Sequence, residues 1–182
     1  MAHKFLTSYI EDSTALFEHY KKLAEGAMVQ VSDEQLFVAL DDEMNSIAIV
    51  VKHMAGNMRS RWTDFLTSDG EKPDRNRDGE FVASAATRAE LMTMWDEGWA
   101  CVFDALKPLN EADLQCSVTI RGEPHSVMQA INRQIAHYSY HIGQIVFLAK
   151  HFKGEDWKSL TVPRNKSAEF NRKVLAGEAS QR

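Results

Sequence analysis

Apolar residues recur at three- and four-residue steps along four stretches of the chain, the period of an amphipathic helix. From about Lys4 to Glu25 the stripe is Leu6, Tyr9, Ile10, Leu16, Phe17, Tyr20 and Leu23, with Gly26 as the expected stop. From about Asp42 to Leu66 it is Met44, Ile47, Val51, Met54, Met58, Trp62 and Phe65, and Gly56 is a small cost inside it. A capping box of Thr87 and Glu90 opens a third helix through Leu91, Met94, Trp95, Val102 and Leu106 to Pro108. A second box, Ser126 with Gln129, opens a fourth that lasts to about Phe152. Before it the period changes: Leu114, Cys116, Val118 and Ile120 alternate with polar residues. Arg121-Gly122 then turns the chain into a return stretch at Glu123–His125, which predicts a β-hairpin.

The pattern fails in two places. Thr67 to Ala86 is polar, carries Gly and Pro and shows no helical period, so it reads as a long loop, a class often found at functional sites. After Lys153 come Pro163, a short helical pattern around Ser167–Leu175, and a polar end expected to fray from about residue 167. Four long helices, each with one apolar stripe to bury, predict an all-α fold: a four-helix bundle with a small hairpin before the fourth helix, in a single domain over residues 1–182.

Composition narrows the classes. At 182 residues and 44% hydrophobic the chain can bury one sizeable core. A net charge of −5 gives no electrostatic footprint for nucleic acid. No stretch approaches the ~18 consecutive apolar residues of a membrane span, and the start Met1-Ala-His-Lys-Phe lacks a signal core, so the expectation is a cytoplasmic protein without a membrane partner. Cys101 and Cys116 match no thiolate zinc motif and read as packing residues. So do Trp62, Trp95, Trp99, Phe103 and the methionines.

The chemistry concentrates in the fourth helix. His137 and His141 are one turn apart and share the arc of Val127, Ala130, Ile131, Tyr138, Ile145 and Leu148, so both imidazoles point inward. Either they hydrogen-bond to each other and to nearby groups, or they hold a divalent cation. His53, beside Val50, Met54 and Met58 in the second helix, is the best placed third ligand. Three neutral imidazoles suit a transition metal, zinc or nickel first, and leave a coordination position open. Tyr138 stands where a zincin motif needs its glutamate, so no local base is supplied. His3, His19, His125 and His151 carry no such pattern. A polar row of His53, Asn57, Ser60 and Asp64, with Arg61 at its edge, is either a solvated face or a cleft leading from the metal. In the second case Asn57 and Arg61 would bind substrate, and Arg75 and Arg77 of the loop would fold back over the site to clamp an anionic substrate or thiol cofactor. The other reading of the loop is a surface excursion or a dimer contact.

These residues resemble the DinB/YfiT-like superfamily of small metal-binding helical proteins. The match lies in His53 within Lys52-His-Met-Ala-Gly-Asn57 and in His137-x-x-x-His141 followed by Ile-Gly-Gln144. The run from Gly56 to Pro73 is similar to a bacterial branch of that superfamily of unknown function, and the resemblance covers about Phe5 to Phe152. It implies a bundle with three histidines on a divalent metal at one open end, often as a homodimer. It also implies an enzyme acting with a low-molecular-weight thiol as an S-transferase on a small-molecule substrate. A non-catalytic metal or small-molecule binding protein of stress response, and a metal-dependent hydrolase, are the other readings.

Overall fold

The computed structural model of the chain describes residues 8–82 and 87–180. The expected helix start at Lys4, with Leu6 and His3, falls outside them, as do the last residues of the Thr67–Ala86 stretch. Among the described residues the chain forms six helices and one two-stranded antiparallel hairpin. The helices are α1 (Tyr9–Met28), α2 (Asp33–Phe37), α3 (Ile47–Trp62), α4 (Arg88–Leu106), α5 (Val127–Lys153) and α6 (Ser167–Leu175). The strands are β1 (Ser117–Ile120) and β2 (Glu123–Ser126).

The four long helices enclose one core, α3 packing on α4 and α5, and α1 on α5 and α4. Phe17, Trp62, Trp99 and Tyr138, one from each, meet at its centre with ring centroids 5.7 to 6.2 Å apart. Burying rings of this size is the largest single contribution to such a core. Trp95 is buried beside them, and Phe103 is partly buried.

Caps set the helix boundaries. Thr87 and Ser126 close the boxes read from the sequence, each accepting from the third helical N–H while that residue's side chain returns to the cap N–H. The other ends move. Helix α1 runs past Gly26 to Met28, because Val29 N–H still reaches Glu25 O at 3.0 Å. The second long helix begins at Ile47, not Asp42: Ser46 caps it through Ile49 N–H, and Asp41 holds a separate turn by accepting from Glu43 and Met44 N–H. It stops at Trp62, not Leu66, because Asp64 turns to a φ of 49°. Met44 therefore lies outside the helix and is exposed, as is Met128, while Cys116 precedes β1 and faces solvent.

Arg121 and Gly122 both have positive φ (56° and 77°), the twist a two-residue hairpin turn requires. Val118 and Ile120 are the buried pair of β1. Helix α6 matches the short pattern at Ser167–Leu175 and buries none of its residues. No helix among the described residues is long and apolar enough to cross a membrane.

Candidate metal centre

Helix α3 is buried on nearly every side, its polar row included: His53, Asn57, Ser60 and Arg61 are each less than a tenth exposed. The solvated-face reading of that row fails because the segment after α3 lies across it as a strap. Ser60 Oγ donates to Gly70 O (2.8 Å) and accepts from Lys72 N–H, and the Arg61 guanidinium binds Gly70 O and Glu71. The strap is also pinned to the hairpin. Gly70 N–H donates to Thr119 O (2.7 Å), and Asp69 accepts from the Arg121 and Gly122 N–H groups, each at 2.8 Å. Only Asp64 of the row is exposed, beyond the helix end.

Past Pro73 the strap enters a single 3-10 turn, Asp78–Phe81, which lowers Glu80 onto α3. Glu80 is only 7% exposed, with Oε2 2.9 Å from His53 Nδ1 and both oxygens gripped by Arg75 (2.8 and 2.9 Å). Burial pushes the Glu80 carboxyl toward the neutral form, but the hydrogen bonds from His53 and Arg75 and the arginine's charge outweigh it and hold the pKa below the ordinary range. Phe81 lies against the His53 ring at 4.7 Å. Gly56 makes this descent possible: a Cβ there would stand 2.3 Å from Glu80 Oε1.

His53, His137 and His141 converge across the α3–α5 contact. His137 Nε2 lies 3.4 Å from His53 Nε2 and 3.1 Å from His141 Nε2, and the three ligand atoms all fall within 4.8 Å of one another. Glu80 can only accept, so His53 carries its proton on Nδ1; His141 Nδ1 likewise donates to Gln144 Oε1 at 2.8 Å. Both then present bare Nε2 lone pairs to the centre of the cluster. His137 cannot satisfy both, and its own Nδ1 is buried without a partner. Burial first, then the neighbouring His141, His53, Arg61 and Arg75, push the His137 pKa down to about 3, and burial leads the lowering at His141. Both are neutral at physiological pH, the form that binds metal.

A divalent cation could resolve this convergence. Imidazole nitrogens about 2.1 Å from one ion are roughly 3.0 Å apart at octahedral angles and roughly 3.4 Å at tetrahedral ones, and the His137–His141 and His53–His137 separations, 3.1 and 3.4 Å, are close to those values. The residues present fit a metal held by nitrogen, with Glu80 and Gln144 orienting two of the rings from behind.

Beside the cluster opens a cleft of about 350 Å³, lined by His53, His137, Asn57, Arg61, Arg75 and Arg77 among others. All seven residues singled out in the sequence therefore lie at one site. Their hydrogen bonds differ in kind, however. Arg61 and Arg75 are engaged by the strap, and Asn57 Oδ1 accepts from the Tyr138 hydroxyl (3.2 Å), which itself accepts from the Trp62 indole N–H (2.9 Å). Sequence reasoning missed Glu80, Gln134, Arg121 and Arg133 at this site. Gln144 and Arg133 lay within reach of it, at three and four residues from a histidine on one helix. Glu80 carried no local signal, because its position depends on the strap.

The site joins a mainly helical domain to a clustered set of three histidines able to hold a metal ion. A family model described as "Protein of unknown function (DUF1572)" matches residues 4–166, and the chain belongs to that family. No curated protein and no solved structure gives a significant match.

Proposed function

We propose that the chain is a DinB-like four-helix bundle that binds a divalent transition metal, zinc or nickel, through His53, His137 and His141. In this reading it is an enzyme acting with a low-molecular-weight thiol. The observation that carries the reading is the convergence of three Nε2 atoms, two of them fixed as lone-pair donors by Glu80 and Gln144. The resemblance of the Lys52–Asn57 and His137–Gln144 runs to that superfamily supports it.

When bound, the metal supplies Lewis acidity, which lowers the pKa of a thiol or water at its open position. The chain's own residues bind and orient. Glu80 and Arg75 fix the His53 ring; Gln144 fixes His141. The Trp62–Tyr138–Asn57 chain holds the Asn57 carbonyl oxygen, which leaves the amide N–H groups as the donors this residue can offer a ligand in the cleft it lines. Burial raises the Tyr138 phenol above its ordinary pKa, so it stays a neutral donor. The hydrolase reading finds less support, because Glu71 and Glu80, the carboxylates bound to the cleft's arginines, are both held in ion pairs.

Elemental analysis and zinc calorimetry on the wild type, His137→Ala and His151→Ala test the metal. His137→Ala should lose binding at least about tenfold, while exposed His151→Ala keeps it; equal retention by both variants would sink the triad. A screen of electrophiles with several cellular thiols follows. Turnover that needs both thiol and metal supports the transferase, and metal binding with no turnover favours a non-catalytic binding protein.

A further inference from the structure

The cleft holds more positive charge than its hydrogen bonds consume. Five arginines line it, in a chain whose net charge is −5. Arg61 and Arg75 are engaged in the scaffold, on Glu71 and Glu80. Arg77 and Arg133 are not, and Arg121 only shares one of those carboxylates. Arg133, one helical turn before His137 on α5, has no ion pair or hydrogen bond among the described residues. The Arg77 guanidinium has no ion pair or hydrogen bond among the described residues and lies over the Phe81 ring, its carbon 5.3 Å from the centroid. Arg121, at the hairpin turn, reaches Glu71 through Nε at 3.2 Å, a carboxylate that Arg61 already holds at 2.9 Å.

Like charges gathered around a concave surface repel one another and focus a field that draws counter-charge into it. An orphaned polar atom of the lining points the same way. Gln134 Oε1 is buried without a partner, on a residue 3% exposed. Buried polar atoms are almost always paired, so an unpaired acceptor in the lining of the cleft marks a place where a polar ligand completes the hydrogen bonding. The planar forks of arginine match carboxylate and phosphate oxygens, and the cleft's volume suits a small molecule.

We propose that the cleft recognises a small organic anion bearing at least two carboxylate or phosphate groups, gripped by Arg77, Arg121 and Arg133. This deepens the function proposed above by naming the substrate class of the same cleft, and the anion's place beside a reacting centre rests on that reading. The ligand also carries a hydroxyl or amine, which donates to Gln134 Oε1. Arg61 and Arg75 hold the strap and turn none of their charge toward this anion.

The test uses the full chain, metal-free and zinc-loaded, at low salt. Acetate, succinate, tricarballylate and 3-phosphoglycerate are titrated by calorimetry, with neutral succinamide as the control. Each charge-assisted contact contributes on the order of tenfold in affinity. Metal-free wild type should therefore bind tricarballylate or 3-phosphoglycerate at least about tenfold more tightly than acetate and should ignore succinamide. The stronger of the two names the oxyanion. Arg121→Gln/Arg133→Gln should lose about tenfold or more of that affinity with zinc stoichiometry unchanged, while Arg172→Gln on α6 loses none. Arg133→Gln alone, on an exposed helix face, provides the comparison if the double variant does not fold. Equal affinity for acetate and the polyanions, or full binding by the arginine variants, overturns the proposal. Zinc that fails to bind while the anion series behaves as expected overturns the metal reading and leaves the anion site standing.

Discussion

At Tyr138 one phenol oxygen accepts from Trp62 and donates to Asn57, while its ring packs against Phe17 and Trp99. Removing that oxygen leaves a buried indole N–H and a buried amide oxygen without partners, a loss of about 1–3 kcal/mol. Tyr138→Phe should accordingly lower the unfolding free energy by that amount, read as a lower urea midpoint with no change in the slope, and an unchanged midpoint would show that the oxygen is dispensable. His137 gives a prediction in pH. Its folded pKa of about 3 lies below the ordinary imidazole value of about 6.5, so the unfolded chain takes up a proton that the folded chain refuses. The metal-free protein is then fully stable, as far as this group is concerned, above pH 6.5, and loses stability as pH falls from there toward 3. Ring resonances of His137 should remain those of a neutral imidazole at pH 5, and a midpoint near 6.5 by NMR would refute the assignment.

The strap between α3 and α4 is the element on which the site's geometry depends. It carries Glu80 and Arg75 and is bonded to α3 on one side and to the hairpin on the other. Gly56→Ala tests it without touching a histidine. A Cβ 2.3 Å from Glu80 Oε1 must displace a side chain that His53 and Arg75 hold from two sides. The expected result is a folded protein whose zinc affinity falls about 10- to 100-fold, as for direct loss of an outer partner; calorimetry that finds no change would show that Glu80 does not orient His53. Acid should loosen the same element. Hydrogen bonds to backbone N–H groups lower the Asp69 pKa, so its contribution is present above the ordinary carboxylate range and fades as pH falls through the lowered value.

The strap also marks the limit of what the sequence could reveal. Helix α5, its capping box and the His137–His141 pair were legible because they rest on contacts three and four residues apart. The burial of Asn57 and Arg61 was not, since it depends on Gly70 reaching Thr119 and Asp69 reaching Gly122, about fifty residues along the chain. Periodicity likewise overran α3 at both ends, where Ser46 and Asp64 make the boundary by backbone conformation rather than by hydrophobic spacing.

For the molecule as a whole, two histidines from α5 and one from α3 would let an ion clip together helices that are already packed. Zinc should raise the thermal midpoint by an amount that grows with the logarithm of its free concentration, and a chelator should reverse it. A midpoint indifferent to zinc from micromolar to millimolar would exclude binding in that range. The sequence separation of the cluster adds a temporal consequence. His53 and His137 meet across 84 residues. On the ribosome, a chain that has emerged only as far as the hairpin exposes one of the three imidazoles, with no partner to share an ion. On the proposed metal reading, ion capture would be deferred until α5 has been synthesised and docked. Loading would then be the closing event of biogenesis, and a prematurely terminated chain would sequester no metal through this site.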